Sequence, residues 1–194
     1  MQVNVMQVNG PWDVGYVLDK HVLSSVIIGQ NAYGHNEYKT VRTEVGEAAY
    51  QLKYKSDYSK IQPLARAIAT QIVPRLGFIS FVAPIPPSKT RARQPVVELA
   101  REVGRLIGKP CLEDVLVKNG TTPQMKDIPT REEKTAALLG SFSFNDTLST
   151  EGRFNVLLVD DLYSSGASFE VACTTLRQYP KIQHIYVAAV SRTK

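Results

Sequence analysis

The stretch FNVLLVDDLYSSGAS, residues 154–168, contains an apolar run, two adjacent aspartates and a loop of small hydroxyl residues around one glycine. The run FNVLLVD has the length and composition of a strand that is buried on both faces, as in a parallel sheet. The segment SFEVACTTLRQY that follows places apolar residues at helical spacing, so we predict a helix over 168–179. This order is typical of an α/β domain that binds a ligand at the carboxyl end of a strand.

Further strands and helices alternate along the chain from residue 60. Apolar runs predict strands at 78–85, 114–119 and 184–190, and helical periodicity predicts helices at 60–73, 95–108 and 130–140. We therefore predict an α/β fold with a central parallel sheet and helices on both faces, formed by residues 60–194. Residues 1–59 are rich in Gly, Tyr and Asn, and we expect them to be hairpins or irregular structure added to one domain.

The composition is that of an ordinary globular chain. The 194 residues are 43% hydrophobic, and no apolar run is long enough to cross a bilayer. Cys111 and Cys173 are the two cysteines, which favours a reducing compartment, so we expect a cytoplasmic protein. The net charge of +5 fits either a mildly basic surface or an anionic ligand, including nucleic acid.

The acid pair and the hydroxyl loop together suit a sugar phosphate. Asp160 and Asp161 end the predicted strand, where carboxylate oxygens can accept hydrogen bonds from a sugar diol. Small residues at 164–168 let backbone amides approach an anion at the start of the helix. The pattern predicts a ribose 5-phosphate site; the alternative is that the acids cap the sheet and Ser168 caps the helix.

Three other nucleotide- or phosphate-related folds do not fit this stretch. A receiver domain needs most of its length after the acidic strand, and only 33 residues follow Asp161. A phosphate-loop NTPase needs GxxxxGK[ST], whereas the nearest string, GRLIGKP, has one spacer too few and a proline in place of the hydroxyl. The chain contains no GxGxxG for a dinucleotide site.

The stretch VLLVDDLYSSGAS resembles the phosphoribosyl-pyrophosphate (PRPP) motif of type I phosphoribosyltransferases. The resemblance implies that Asp160 and Asp161 hold the ribose hydroxyls and, through PRPP, an Mg²⁺ ion. It also implies a loop for the 5-phosphate, made of Tyr163, Ser164, Ser165, Gly166, Ala167 and Ser168.

Upstream segments resemble the ComF-type, amidophosphoribosyltransferase-like branch of that family. The segments are QLKYKSDYSKIQPLARAIA, VAPIPPSKTRARQPVVELAREV and TTPQMKDIPTREEKTAALLGSFSF. The loop after VAPIP would then face pyrophosphate, through Pro87, Ser88, Lys89, Arg91 and Arg93. Residues 118–131 would form a mobile lid whose cations, Lys126 and Arg131, join the two aspartates in catalysis. A solvated basic loop and a plain surface linker are the alternatives for these two segments.

The resemblance implies that the protein displaces pyrophosphate from carbon 1 of PRPP by a nitrogen acceptor, a nucleobase or an amine, with Mg²⁺. Two departures leave the acceptor open: the four-cysteine zinc ribbon of many ComF-type proteins is absent, and the lid shows REEKTA. Residues 1–59 would form the hood that receives the acceptor. A non-catalytic PRPP- or nucleotide-binding regulator and a nucleic-acid-associated protein are the alternatives, and a homodimer is among the open oligomeric states.

Overall fold

The protein is described by a computed structural model that covers residues 1–87, 91–119, 130–138, 140–149 and 151–193. Its centre is a five-stranded sheet in the order β1-β2-β9-β8-β5. The four strands β2, β9, β8 and β5 run parallel, and only β1 at the edge is antiparallel. The strands are β1 (Met6–Gln7), β2 (Val14–Lys20), β5 (Phe81–Pro84), β8 (Phe154–Tyr163) and β9 (Ile182–Arg192).

Helices cover both faces of this sheet. The helices are α1 (Glu44–Tyr54), α2 (Ile61–Ala67), α3 (Pro95–Ile107), α4 (Arg131–Leu138) and α5 (Ala167–Arg177). Leu64 and Leu99 pack with Leu157 of β8 in one apolar core, whereas Phe169 and Leu176 pack with Leu158 of β8 in the other. The predicted α/β architecture, a central parallel sheet between two layers of helices, is confirmed.

Most of the predicted helices begin and end where their capping residues indicate. Pro95 opens α3, where its missing N–H costs nothing, and Gly108 ends it in the left-handed conformation at φ +66°. Thr130 and Glu133 exchange hydrogen bonds of 3.2 Å at the start of α4, which is the capping box expected from their spacing. The predicted helix over 60–73 is α2 followed by a π-helical turn over Ile68–Ile72.

The expectation for the first 59 residues needs correction in two places. Val14–Lys20 form β2 inside the central sheet, and Glu44–Tyr54 form α1, which packs on the same core as α2 and α3. Only the hairpin of β3 (Val22–Gln30) and β4 (Asn36–Arg42) projects as an addition between them. A hood role for this segment stays a prediction.

Two predicted strands also differ from the structure. The strand expected at 114–119 is β6 (Leu116–Lys118), which pairs with β7 (Phe142–Phe144) in a separate antiparallel pair and not with the central sheet. β8 continues past the predicted end at residue 160, because Leu162 and Tyr163 still pair with Ser191 and Arg192 of β9. Asp160 and Asp161 therefore lie within the strand, three and two residues before its end.

Candidate active site

The carboxyl ends of four parallel strands meet at one edge of the sheet. Lys20 of β2 lies opposite Arg192 of β9, which in turn lies opposite Tyr163 of β8, and Pro84 of β5 lies opposite Val159. The loop after β5 therefore leaves the sheet beside Asp160, and the loop after β8 leaves it three residues further along, after Tyr163. The sequence predicted these two loops as ligand-binding segments, and both begin at the carboxyl end of the parallel strands.

The two aspartates occupy different environments. Asp161 is buried, with a side chain that is 10% exposed, and Asp160 is partly buried. The Asp160 carboxylate accepts a hydrogen bond of 2.8 Å from the backbone N–H of Asp161. Burial, followed by repulsion from Asp161, raises the pKa of Asp160 to about 8. The Asp160 carboxyl therefore holds its proton more tightly than a free carboxyl does.

Lys53, which the sequence analysis did not identify, forms an ion pair with Asp161. Lys53, in the last turn of α1, places its Nζ 2.9 Å from Oδ1 of Asp161, and its side chain is 30% exposed. Burial disfavours the Lys53 ammonium, but attraction by Asp161 and Asp160 outweighs burial and raises the pKa of Lys53. The site thus carries a fixed positive charge next to the carboxylates in the absence of any ligand.

His21 and Ser191 border the same niche. Nδ1 of His21 lies 3.0 Å from Oγ of Ser191, a side chain that is wholly buried at the end of β9. Burial lowers the pKa of His21, so its imidazole is neutral near pH 7. The niche is lined by His21, Ala49, Lys53, Tyr54, Asp161, Leu162 and Ser191. No local pattern in the sequence links His21, Lys53 and Ser191, since the fold brings them together from three distant segments.

The hydroxyl loop is shorter than predicted. It comprises Ser164–Gly166, because β8 extends to Tyr163 and α5 begins at Ala167 instead of Ser168. Gly166 has φ +84°, and a Cβ there would lie 2.6 Å from Oη of Tyr163. Only glycine fits this turn without displacing a buried ring.

The N-cap residue of helix α5 is Gly166, which has no side chain to cap the helix. The backbone N–H of Ala167, the first helical residue, donates a long hydrogen bond of 3.4 Å to Oγ of Ser165. Ser164 is exposed, and Ser165 and Ser168 are partly buried. The loop therefore places the hydroxyls of Ser164 and Ser165 at the start of a helix, and Ser168 adds a third hydroxyl from the first turn of α5, which is the composition of a phosphate cradle.

The basic loop after β5 reaches the site through α1. Arg91 donates a hydrogen bond of 3.0 Å to the backbone carbonyl of Lys53, which places this arginine on the helix that carries the lysine of the acid pair. Arg93 instead pairs with Glu98 at 3.1 Å and lies over the ring of Tyr58, with 3.8 Å between its guanidinium carbon and the ring centre.

The other three predicted pyrophosphate ligands of that loop have no described contact with the acid pair. Pro87 is exposed, and Ser88 and Lys89 lie outside the described residues. Of the predicted pyrophosphate ligands, Arg91 is thus the one whose described contacts connect it with the acid pair.

The predicted lid is described only at its two ends. Lys126 lies outside the described residues, and Arg131 begins α4, with no side-chain position described. The hydroxyl of Thr135 in α4 donates a hydrogen bond of 3.1 Å to the carboxylate of Glu170 in the first turn of α5. The end of the segment is therefore attached to the helix that carries the hydroxyl loop.

The described residues contain no cluster of three or more His, Cys, Asp or Glu side chains that could hold a metal ion by itself. Within the same ranges, no helix combines the length and apolarity needed to cross a membrane.

This chain resembles known proteins in structure but not detectably in sequence. No family model matches the chain, and no curated protein matches its sequence. The glutamine PRPP amidotransferase from B. subtilis, solved with ADP and GMP, superposes with a TM-score of 0.50 at 17% identity. That alignment covers 83% of this chain but 35% of the amidotransferase, so the chain spans about a third of that protein.

Adenine phosphoribosyltransferases are also among the structural neighbours. One gives a TM-score of 0.43 at 13% identity over 86% of this chain and 85% of its own. The enzyme from Trypanosoma brucei, in complex with AMP, pyrophosphate and ribose-5-phosphate, gives 0.47 at 10% identity over 97% and 74%. By name these neighbours are phosphoribosyltransferases and a PRPP amidotransferase, and the superposition on the amidotransferase shows that this chain shares its mixed α/β fold.

Proposed function

We propose that the protein transfers the phosphoribosyl group of PRPP to a nitrogen acceptor, a nucleobase or an amine. One observation carries this proposal. The acid pair of β8 is followed, after Leu162 and Tyr163, by a hydroxyl loop that ends in Gly166 and by the start of α5, at the edge where the loop after β5 also leaves the sheet. The two aspartates can then bind the diol, and the hydroxyl loop the phosphate, of one ligand, a ribose 5-phosphate.

Each part of the site has a role that follows from its chemistry. Asp160 and Asp161 accept hydrogen bonds from the ribose hydroxyls. The amides of α5 and the hydroxyls of Ser164 and Ser165 donate to the 5-phosphate. Arg91, together with the predicted cations Lys89, Lys126 and Arg131, faces the pyrophosphate, whose charge grows as it leaves.

The proposed reaction breaks one bond and forms one bond at carbon 1 of the ribose. The C1–O bond to pyrophosphate breaks and its electron pair leaves with the pyrophosphate. The acceptor nitrogen forms the new C1–N bond with its lone pair and loses its proton to solvent or to the departing pyrophosphate. The transition state is oxocarbenium-like, so positioning and electrostatics supply the rate and no side chain acts as a nucleophile.

We propose that magnesium binds at this site through PRPP. The described residues contain no cluster of three or more His, Cys, Asp or Glu side chains that could hold the ion by itself. Asp160 and Asp161 would hold the ribose hydroxyls, and the oxygens of PRPP would hold the ion, because Mg²⁺ prefers oxygen ligands and is often bound through substrate phosphates. When bound, the ion supplies charge neutralisation of the pyrophosphate.

We also propose that the protein belongs to the ComF-type branch and is cytoplasmic. The segments at 51–69, 82–103 and 121–144 support the ComF-type branch, since they follow its pattern in sequence. A cytoplasmic location fits the two unpaired cysteines.

A second candidate is a PRPP- or nucleotide-binding regulator without catalysis. The engagement of Arg93 with Glu98 and of Lys53 with Asp161 favours it, because both cations already have protein partners.

Release of pyrophosphate separates the two candidates. The chain, PRPP, Mg²⁺ and a panel of nucleobases and amines should yield pyrophosphate with one acceptor class, and Asp160→Asn with Asp161→Asn should abolish this release. The matched control is Glu37→Gln with Glu151→Gln, the same change in charge at two exposed acids on the β3–β4 hairpin and before β8. Binding of PRPP without turnover for any acceptor would favour the regulator, and no binding would contradict both.

A further inference from the structure

The hairpin of β3 and β4 stands apart from both cores of the protein. None of the residues 22–42 is buried, and the two strands pair only with each other among the described residues. An isolated two-stranded hairpin is at best marginally stable in water. The hairpin therefore lacks, within the described chain, the packing that ordinarily holds such a pair together.

Large apolar side chains are concentrated on this hairpin. Seven of the ten exposed large hydrophobic residues of the described chain belong to it. They are Leu23, Val26, Ile27, Ile28, Tyr33, Tyr38 and Val41. Exposed apolar side chains that are concentrated in one element indicate an interaction site.

The outer edge of β3 is open to pairing with another strand. The nine residues VLSSVIIGQ contain no charge and no proline, which are two devices that protect edge strands. The register with β4 is shifted between Val22 and Ser24 and between Ile27 and Gly29, and the segment Ser24–Ile27 between these shifts is regular. This segment offers backbone N–H and C=O groups on an uncharged, apolar strand.

Charge indicates which partner suits this edge. The whole chain carries a net charge of +5, so two copies repel each other over most of their surfaces, but not along an uncharged strand. Nucleic acid requires several free cations. The cations of β4 are Lys39 and Arg42, and Arg42 lies over Tyr50 and 3.5 Å from Glu47. A second copy of the chain fits the edge, because an antiparallel pair of identical strands is self-complementary and closes with two-fold symmetry.

We propose that two copies of this protein pair antiparallel through the β3 edge and form a four-stranded sheet, β4-β3-β3-β4. When the full strands overlap, Val26 lies opposite Val26 of the partner subunit. A shift by one residue brings Ser25 opposite Val26 instead. Side chains of the two β3 strands then contact each other as cross-strand neighbours on each face of the four-stranded sheet.

Sedimentation equilibrium of the full chain tests this pairing. The wild type should dimerise, and Ile27→Glu should weaken the dimer about tenfold or more, because each copy loses an apolar cross-strand contact and the two carboxylates repel. Ile27 is 59% exposed, so the substitution leaves both cores intact. The matched control is Phe78→Glu, an exposed aromatic residue off the hairpin that lies beneath Lys109, and it should dimerise as the wild type does.

Cysteine cross-linking tests the contact even where Ile27→Glu disturbs the hairpin itself. Under mild oxidation, Ser25→Cys or Val26→Cys should give a disulfide-linked dimer, and Phe78→Cys should not. Cys173 is buried, and burial raises the pKa of Cys111 to about 12, so the native thiols react slowly. A monomeric wild type, a dimer that Ile27→Glu leaves unchanged, or the absence of cross-links at both positions would overturn the proposal, whether lipid or another protein is then found on the hairpin.

Discussion

Replacing Gly166 by alanine should destabilise the protein in two ways. The backbone has φ +84°, where a Cβ costs about 1–2 kcal/mol. The new Cβ would also lie 2.6 Å from Oη and 2.9 Å from Cζ of Tyr163, which is buried. Forcing that ring aside adds about 1–2 kcal/mol, so the total is about 2–4 kcal/mol. For a chain of this size, the melting temperature should fall by roughly 5–15 °C.

Thermal unfolding followed by circular dichroism measures this effect against a matched control. Gly108 also has a positive φ, +66°, but nothing lies within 4 Å of its Cβ position, so Gly108→Ala should cost only about 1 kcal/mol. Adding Tyr163→Phe to Gly166→Ala should recover part of the loss, because the nearest atom is removed. Equal melting temperatures for Gly166→Ala and Gly108→Ala would refute the argument that Tyr163 and Gly166 define the loop.

The remaining predictions concern the charges around the acid pair. Lys53→Met should destabilise the fold by about 1–3 kcal/mol in urea unfolding, because it leaves the buried Asp161 without its partner. Asp160 has a pKa raised from 3.8 to about 8, so the folded state keeps a proton that the unfolded state releases, and stability is lost as pH rises between these values. Asp160→Asn should remove this dependence of the free energy of unfolding on pH. The stability of the variant relative to the wild type should therefore be higher at pH 8 than at pH 5. Arg91→Gln should weaken PRPP and pyrophosphate binding by about 1.5–3 kcal/mol in calorimetric titrations and spare nucleoside monophosphates, whereas Arg93→Gln, whose arginine pairs with Glu98, should change little.

Each of these predictions has a control and a contrary result. Lys39→Met removes an exposed lysine of the hairpin, and a loss as large as that of Lys53→Met would show that the ion pair is not the cause. If the stability of the wild type and that of Asp160→Asn depend on pH in the same way, another group is responsible for the titration. Equal losses of PRPP and monophosphate affinity in Arg91→Gln would place this arginine away from the pyrophosphate.

The central strands were predictable because their environment is uniform. β5, β8 and β9 are buried on both faces, so their sequences are continuous apolar runs such as FNVLLV and IYVAAV. β2 was missed because VGYVLDK lies next to the sheet edge and mixes polar with apolar residues. Its place in the sheet depends on pairing with β9, which is more than 160 residues away in sequence.

The candidate site was predictable only where its residues are contiguous. Asp160, Asp161 and the loop around Gly166 are encoded within one strand, turn and helix, so their proximity follows from local structure. Lys53 pairs with Asp161 across 108 residues, and its helix follows an exposed hairpin. A lone lysine in a helix carries no local signal of such a partner, and tertiary packing alone reveals it.

The central claim is that the acid pair and the hydroxyl loop bind a ribose 5-phosphate. Calorimetric titration of PRPP with Mg²⁺ into the wild type and into the Asp160→Asn, Asp161→Asn variant tests it most directly, with thermal unfolding in the same solutions. The account predicts saturable binding by the wild type, a stabilisation of about 2.7 kcal/mol at a hundred times the dissociation constant, and loss of both in the variant. A wild type that shows no heat of binding and the same melting temperature with saturating PRPP and Mg²⁺ would contradict it.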